Sequence, residues 1–192
     1  FDSIIFGPVW SRRLGESLGI NLLPVNRKTC NYNCVYCECG LTPAGATGDK
    51  GFPSREKVEN ELRKKLSAMR SAGQYLDSIT FAGNGEPTLH PCFPEIIDDV
   101  LKLRDEFFPR CQVSVLSNAT LSDREEVFKA LLKTDSNILK LDSAIEDTLR
   151  RINCPPPGFS ISKLIDTLVA FKGKVTIQTL FFRGFHNGER ID

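Results

Sequence analysis

Three cysteines within eight residues carry the first chemical signal. Cys30-Asn-Tyr-Asn-Cys34-Val-Tyr-Cys37 has C-x3-C-x2-C spacing, short enough for one loop to wrap a cubane and present a thiolate to each of three irons. Electron carriers normally close their clusters with four thiolates, so a three-cysteine loop leaves one iron open to an outside chelating ligand. An open iron implies chemistry rather than storage. Two other readings stand beside this one. Cys39 is a fourth nearby thiol that could close the cluster and make an electron-transfer centre. A zinc-binding interaction module is the second, although zinc sites usually pair C-x2-C units or add histidines, and His90 and His186 are remote in sequence. Cys92, Cys111 and Cys154 are isolated and read as small apolar residues.

The amino and carboxylate groups of S-adenosylmethionine suit an open iron, and an electron from a reduced cluster can then break a C–S bond to give a 5′-deoxyadenosyl radical. Further along, Phe81-Ala-Gly-Asn-Gly-Glu-Pro87 leaves an apolar run in a turn where glycines permit close backbone approach and strand-edge carbonyls can accept from a ligand ammonium. Ser117 and Asn118 follow the next apolar run, with hydroxyl and amide groups suited to ribose hydroxyls or a carboxylate. Lys140, Asp142, Gln178 and Arg183 stand at or near the ends of later runs.

Elements must position these groups. Apolar, β-branched runs at 18–23, 78–82, 112–116, 137–141 and 175–182 predict five strands. Val58, Leu62, Leu66 and Met69 mark a helix after Ser54 that stops near Gly73. A second helix spans roughly 94–107, ended by Pro109, and Ser122 with Glu125 forms a capping box for a third. Prolines 155–157 separate a short helix from one over 161–171, which Gly173 closes. The stretch 42–51, rich in Gly, Ala and Thr, reads as a mobile loop. Strands alternating with helices imply right-handed crossovers and a parallel sheet, open or part of a barrel. In either case ligands sit at the carboxyl ends of strands, where the polar residues above fall.

With these motifs the chain resembles the radical SAM superfamily. The resemblance is closest to the branch related to wyosine-type tRNA-modifying enzymes, through Ser11-Arg-Arg-Leu-Gly, Leu18-Gly-Ile-Asn-Leu, the cysteine loop, the 81–90 turn and Ile152-Asn-Cys-Pro155. It implies an α/β fold, a partial (β/α) barrel of the radical SAM type with about five of its six β/α units in residues 1–192. A single core domain, incomplete at the C-terminus, is the expectation. It also implies a [4Fe–4S] cluster on Cys30, Cys34 and Cys37, and S-adenosylmethionine held by Tyr36, Gly83, Asn84, Gly85, Glu86, Ser117, Asn118, Asp142 and Gln178. An external electron donor of flavodoxin or ferredoxin type follows, with a substrate that is a small molecule, peptide or tRNA.

Composition sets bounds but names no partner. The 192 residues, 41% hydrophobic, support one domain with a real core, and a net charge of +1 gives no extended basic field. An odd count of seven cysteines argues against a disulfide framework. No apolar run approaches the roughly 20 residues of a membrane-spanning helix, and a soluble, cytoplasmic protein is expected.

Overall fold

Residues 1–43, 51–186 and 188–191 are described by the computed structural model. Six strands form one open sheet: β1 (Ile5–Ser11), β2 (Gly15–Ile20), β3 (Ser78–Phe81), β4 (Gln112–Ser117), β5 (Ser136–Lys140) and β6 (Thr176–Gln178), neighbours in that order. β1 pairs antiparallel with β2, and every later pair is parallel. The five parallel strands match the five expected, and the unclosed sheet is a partial barrel. A small hairpin, β7 (Gly184–His186) and β8 (Glu189–Ile191), lies outside this sheet.

Helices cross between the parallel strands: α1 (Arg55–Ser71), α2 (Phe93–Phe107), α3 (Glu125–Lys133), α4 (Glu146–Asn153) and α5 (Ile161–Ala170). α1 starts where Ser54 Oγ accepts from Lys57 N, and it buries Val58, Leu62, Leu66 and Met69. This stripe joins Ile79, Phe81, Phe93, Ile97, Val113 and Val115 in the main core. Hydroxyls that face inward from the sheet satisfy one another: Ser17 with Thr80 at 2.8 Å, Thr80 with Ser78 at 3.0 Å, and Ser78 with Ser114 at 2.9 Å.

Several local expectations differ from the fold. β1 was not anticipated, because Gly7 and Pro8 interrupt its apolar run and Val9 and Trp10 remain exposed. The strand expected at 18–23 is β2, and residues 21–23 have left the sheet toward the cysteine loop. The capping box does not form: Ser122 Oγ donates to Ala119 O at 2.7 Å, Glu125 pairs with Lys129, and α3 begins after Arg124 without a side-chain cap. The run at 175–182 yields only a three-residue strand, because Leu180 N donates to the Asp142 carboxylate at 2.9 Å. The loop expected at 42–51 lies mostly outside the described residues.

Candidate active site

The cysteine loop hangs between two supports. On one side Thr29 pairs with Gly85 as a parallel bridge, with Thr29 N donating to Asn84 O at 2.8 Å and Glu86 N donating to Thr29 O at 3.1 Å. On the other side the loop docks on the end of α4, where helix carbonyls lack intrahelical partners. Asn33 N donates to Asn153 O, and Val35 N to Ile152 O, both at 2.9 Å. The turn after β3 and the stop of α4 therefore set the position of the three cysteines between them.

Cys30, Cys34 and Cys37 line one cavity of about 180 Å³. Tyr36, Gly83, Gly85, Glu86, Ser117, Asn118 and Gln178 line it too, as do Lys28, Tyr32, Cys39 and Lys140. Asn84 and Asp142 are not on its wall. The Asn84 amide donates to Phe1 O and Pro24 O at 2.7 and 3.1 Å, so it ties the 83–86 turn to the front of the chain. Asp142 stands behind the loop and accepts from Tyr36 Oη, Asn153 Nδ2 and Leu180 N. Cys39 is exposed at the rim, its thiol donating to Gly83 O at 3.7 Å. Arg183 does not line this cavity.

The glycines are required by proximity. At Gly85, with φ +142°, a Cβ would collide with the Thr29 carbonyl, and at Gly83 it would collide with the Asn21 side chain. Glu86, beside them, is buried and accepts four hydrogen bonds. Thr88 N, Thr88 Oγ1 and Ser117 Oγ donate to Oε1 at 3.1, 2.6 and 2.7 Å, while Asn118 N donates to Oε2 at 2.7 Å. Its carboxylate thus fixes the ends of β3 and β4 relative to each other and leaves Oε2 with spare acceptor capacity. Burial raises the Glu86 carboxyl against the pull of these donors.

Burial likewise pushes the Cys30 thiol up to about 12, with the Glu86 charge adding to it. Cys34 is raised by burial too, opposed by the hydrogen bond from Asn153. Coordination to a metal reverses this preference, because a ligating thiol is deprotonated outright. N–H groups already point at these sulfurs: Tyr32 N and Asn118 Nδ2 at Cys30 (3.4 and 3.6 Å), and Asn153 Nδ2 at Cys34 (3.2 Å). Among the described residues no three His, Cys, Asp or Glu side chains converge on one point as a single-ion site requires. The thiols frame a volume instead.

The family model of the radical SAM superfamily matches residues 28–192. The chain belongs to that superfamily. Radical SAM proteins are generally enzymes, and membership implies a [4Fe–4S] cluster and S-adenosylmethionine as cofactors. The chain is 34% identical over 182 residues to a UPF0026 protein of Methanocaldococcus jannaschii, covering 93% of this chain and 54% of that protein. It is 32% identical over 193 residues to a Brachyspira hyodysenteriae protein named GTPase Obg, covering 98% of this chain and 27% of that one. The radical SAM chain thus spans about half or less of these relatives. Its fold is also that of TYW1 with a lysine-pyruvate adduct bound (TM-score 0.54, 18% identity, 85% and 54% of the two chains). Native anSMEcpe with bound AdoMet shares it as well (TM-score 0.57, 21% identity, 84% and 42%).

The residues present fit the implied groups. Three thiols with N–H donors aimed at two of them border a cavity, and glycine backbone and strand-end polar groups complete its wall. Tyr32, on the same wall, has a buried hydroxyl with no hydrogen-bond partner among the described residues, as expected of a group whose acceptor arrives with a ligand. Sequence reasoning missed Lys28, a buried ammonium on the wall that donates to Gly40 O at 2.6 Å, and Asn153. A signal for Asn153 was available: it is the last helical residue before Cys154-Pro155-Pro156-Pro157, where carbonyls must find partners outside the helix. No helix among the described residues is long and apolar enough to cross a membrane.

Proposed function

We propose that this chain is a radical SAM active-site core in which Cys30, Cys34 and Cys37 hold the [4Fe–4S] cluster. Gly83, Gly85, Glu86, Ser117, Asn118 and Gln178 then face S-adenosylmethionine beside it. The observation that carries this reading is convergence: residues from the cysteine loop and from the ends of β3, β4 and β6 line one cavity. When bound, the cluster would supply one electron that breaks a C–S bond of S-adenosylmethionine, leaving methionine and a 5′-deoxyadenosyl radical that takes a hydrogen atom from the substrate.

The protein's own residues bind and orient. The three thiols would leave one iron for the amino and carboxylate groups of the cofactor, and the second Glu86 oxygen suits an N–H of that amino group. Glycines 83 and 85 let Asn21 and the Thr29 carbonyl pack against the turn, which holds the cysteine loop beside it. Tyr36 braces the loop through Asp142, and Asp142 and Asn84 act behind the wall rather than on it. The overall activity is that of an oxidoreductase in the cytoplasm, fed by a flavodoxin- or ferredoxin-type donor. Its substrate is a small molecule, a peptide or a tRNA.

Anaerobic reconstitution followed by iron and sulfide analysis tests the ligand assignment. About four irons and four sulfides per chain are expected, and Cys30→Ala, Cys34→Ala and Cys37→Ala should each lose most of both. Cys39→Ser should keep them. A fully loaded Cys34→Ala protein, or zinc bound without sulfide, overturns the assignment.

A further inference from the structure

We infer that Asn153 sets the reduction potential of the cluster through an N–H···S bond to Cys34, an inference that rests on the ligand assignment above. Asn153 closes α4 and is fully buried. Its Nδ2 has three acceptors within reach: Asp142 Oδ2 at 2.6 Å, Tyr36 Oη at 3.1 Å and Cys34 Sγ at 3.2 Å. Its Oδ1 is buried without a hydrogen-bond partner among the described residues.

Asp142 decides which end of the amide faces the sulfur. A carboxylate only accepts, so turning the amide over would set Oδ1 against Asp142 and leave Cys34 without a donor. Asp142 is itself fixed by Leu180 N at 2.9 Å and by Tyr36 Oη, and Lys140 Nζ lies 3.6 Å away. The Tyr36 hydroxyl proton is committed to Asp142, so Tyr36 can only accept from Asn153. One amide hydrogen therefore goes to Asp142, and the other lies between Tyr36 Oη and Cys34 Sγ.

A donor held against a ligating thiolate stabilises the more negative, reduced state of the cluster and raises its potential. The Asn153 carbonyl also anchors the loop through Asn33 N at 2.9 Å, but that contact is made by backbone and survives a side-chain change. Asn118 Nδ2 reaches Cys30 at the longer distance of 3.6 Å and divides its donors with Asn31 Oδ1 at 2.7 Å. Asn153 is the shorter and more deeply buried of the two side-chain donors.

The test is an EPR-monitored reductive titration of the reconstituted cluster, without S-adenosylmethionine, in wild type and Asn153→Leu. Iron and sulfide are measured on the same samples. The leucine variant should hold a full cluster whose equilibrium constant for one-electron reduction is about tenfold lower, a midpoint about 59 mV more negative. Should the leucine variant not fold, Asn153→Ser serves: its side chain ends short of the place of the amide nitrogen, which removes the donor to Cys34, and the same downward shift is expected. A full cluster with an unchanged midpoint in either variant overturns the inference while leaving the ligand assignment intact. A wild-type protein that takes up no cluster overturns both.

Discussion

Glu86 joins two strand ends through one buried carboxylate: donors from Thr88 and Ser117 reach one oxygen and Asn118 N the other. Replacing it with alanine leaves these buried donors without their acceptor. Glu86→Ala should therefore lower the unfolding free energy of the apo-protein by on the order of 3 kcal/mol, read from denaturant midpoints. At this scale much was legible in sequence. The cysteine spacing and the Gly-Asn-Gly-Glu turn are local patterns, and chemistry follows directly from them. The direction of the Asn84 amide was not legible, because it depends on which segment packs behind the turn, and here that is the front of the chain with Pro24. The helix-end position of Asn153 was readable, but its partners were not, since they lie 119, 117 and 11 residues away.

Elements hold the site by a few exact approaches. The bridge between Thr29 and Gly85 brings the residue just before Cys30 against the turn after β3, with no room for a side chain at Gly85. Gly85→Ala should cost roughly 2–3 kcal/mol and lower cluster uptake on reconstitution, whereas Gly73→Ala, with open space around it, should leave uptake unchanged. His90 pins another junction. Its Nε2 meets Pro53 O at 2.9 Å ahead of α1, and its Nδ1 accepts from Cys92 N at 3.1 Å at the start of α2, an arrangement of the neutral ring. Burial lowers its pKa below the ordinary 6.5. Between the folded and unfolded pKa values the unfolded chain binds more protons, so this contribution is complete above about pH 6.5 and is lost as the pH falls below it. His90→Gln should flatten that part of the stability profile, measured by urea unfolding between about pH 7.5 and 5.5. Strong apolar periodicity made α1 and α2 readable. α3 was readable as a helix but not in its cap, because Ser122 bonds back to Ala119 and the helix starts two residues beyond the expected position.

At the scale of the whole molecule, the parallel order was legible from the alternation of strand and helix, and strand-end polar residues do gather at one cavity as that topology requires. The sixth strand was not. β1 is largely solvent-facing and earns its place by pairing with β2 rather than by apolar content. Net charge said little about the site, because the charges that matter are few and buried: Lys28, Glu86 and Asp142. Three thiolates on a four-iron cluster would leave one iron for S-adenosylmethionine. EPR of the anaerobically reconstituted, reduced protein with and without S-adenosylmethionine tests it most directly. A cluster signal that changes shape and g-values when the cofactor is added is expected, in wild type and in Cys39→Ser alike. A full cluster whose signal is indifferent to S-adenosylmethionine would contradict it.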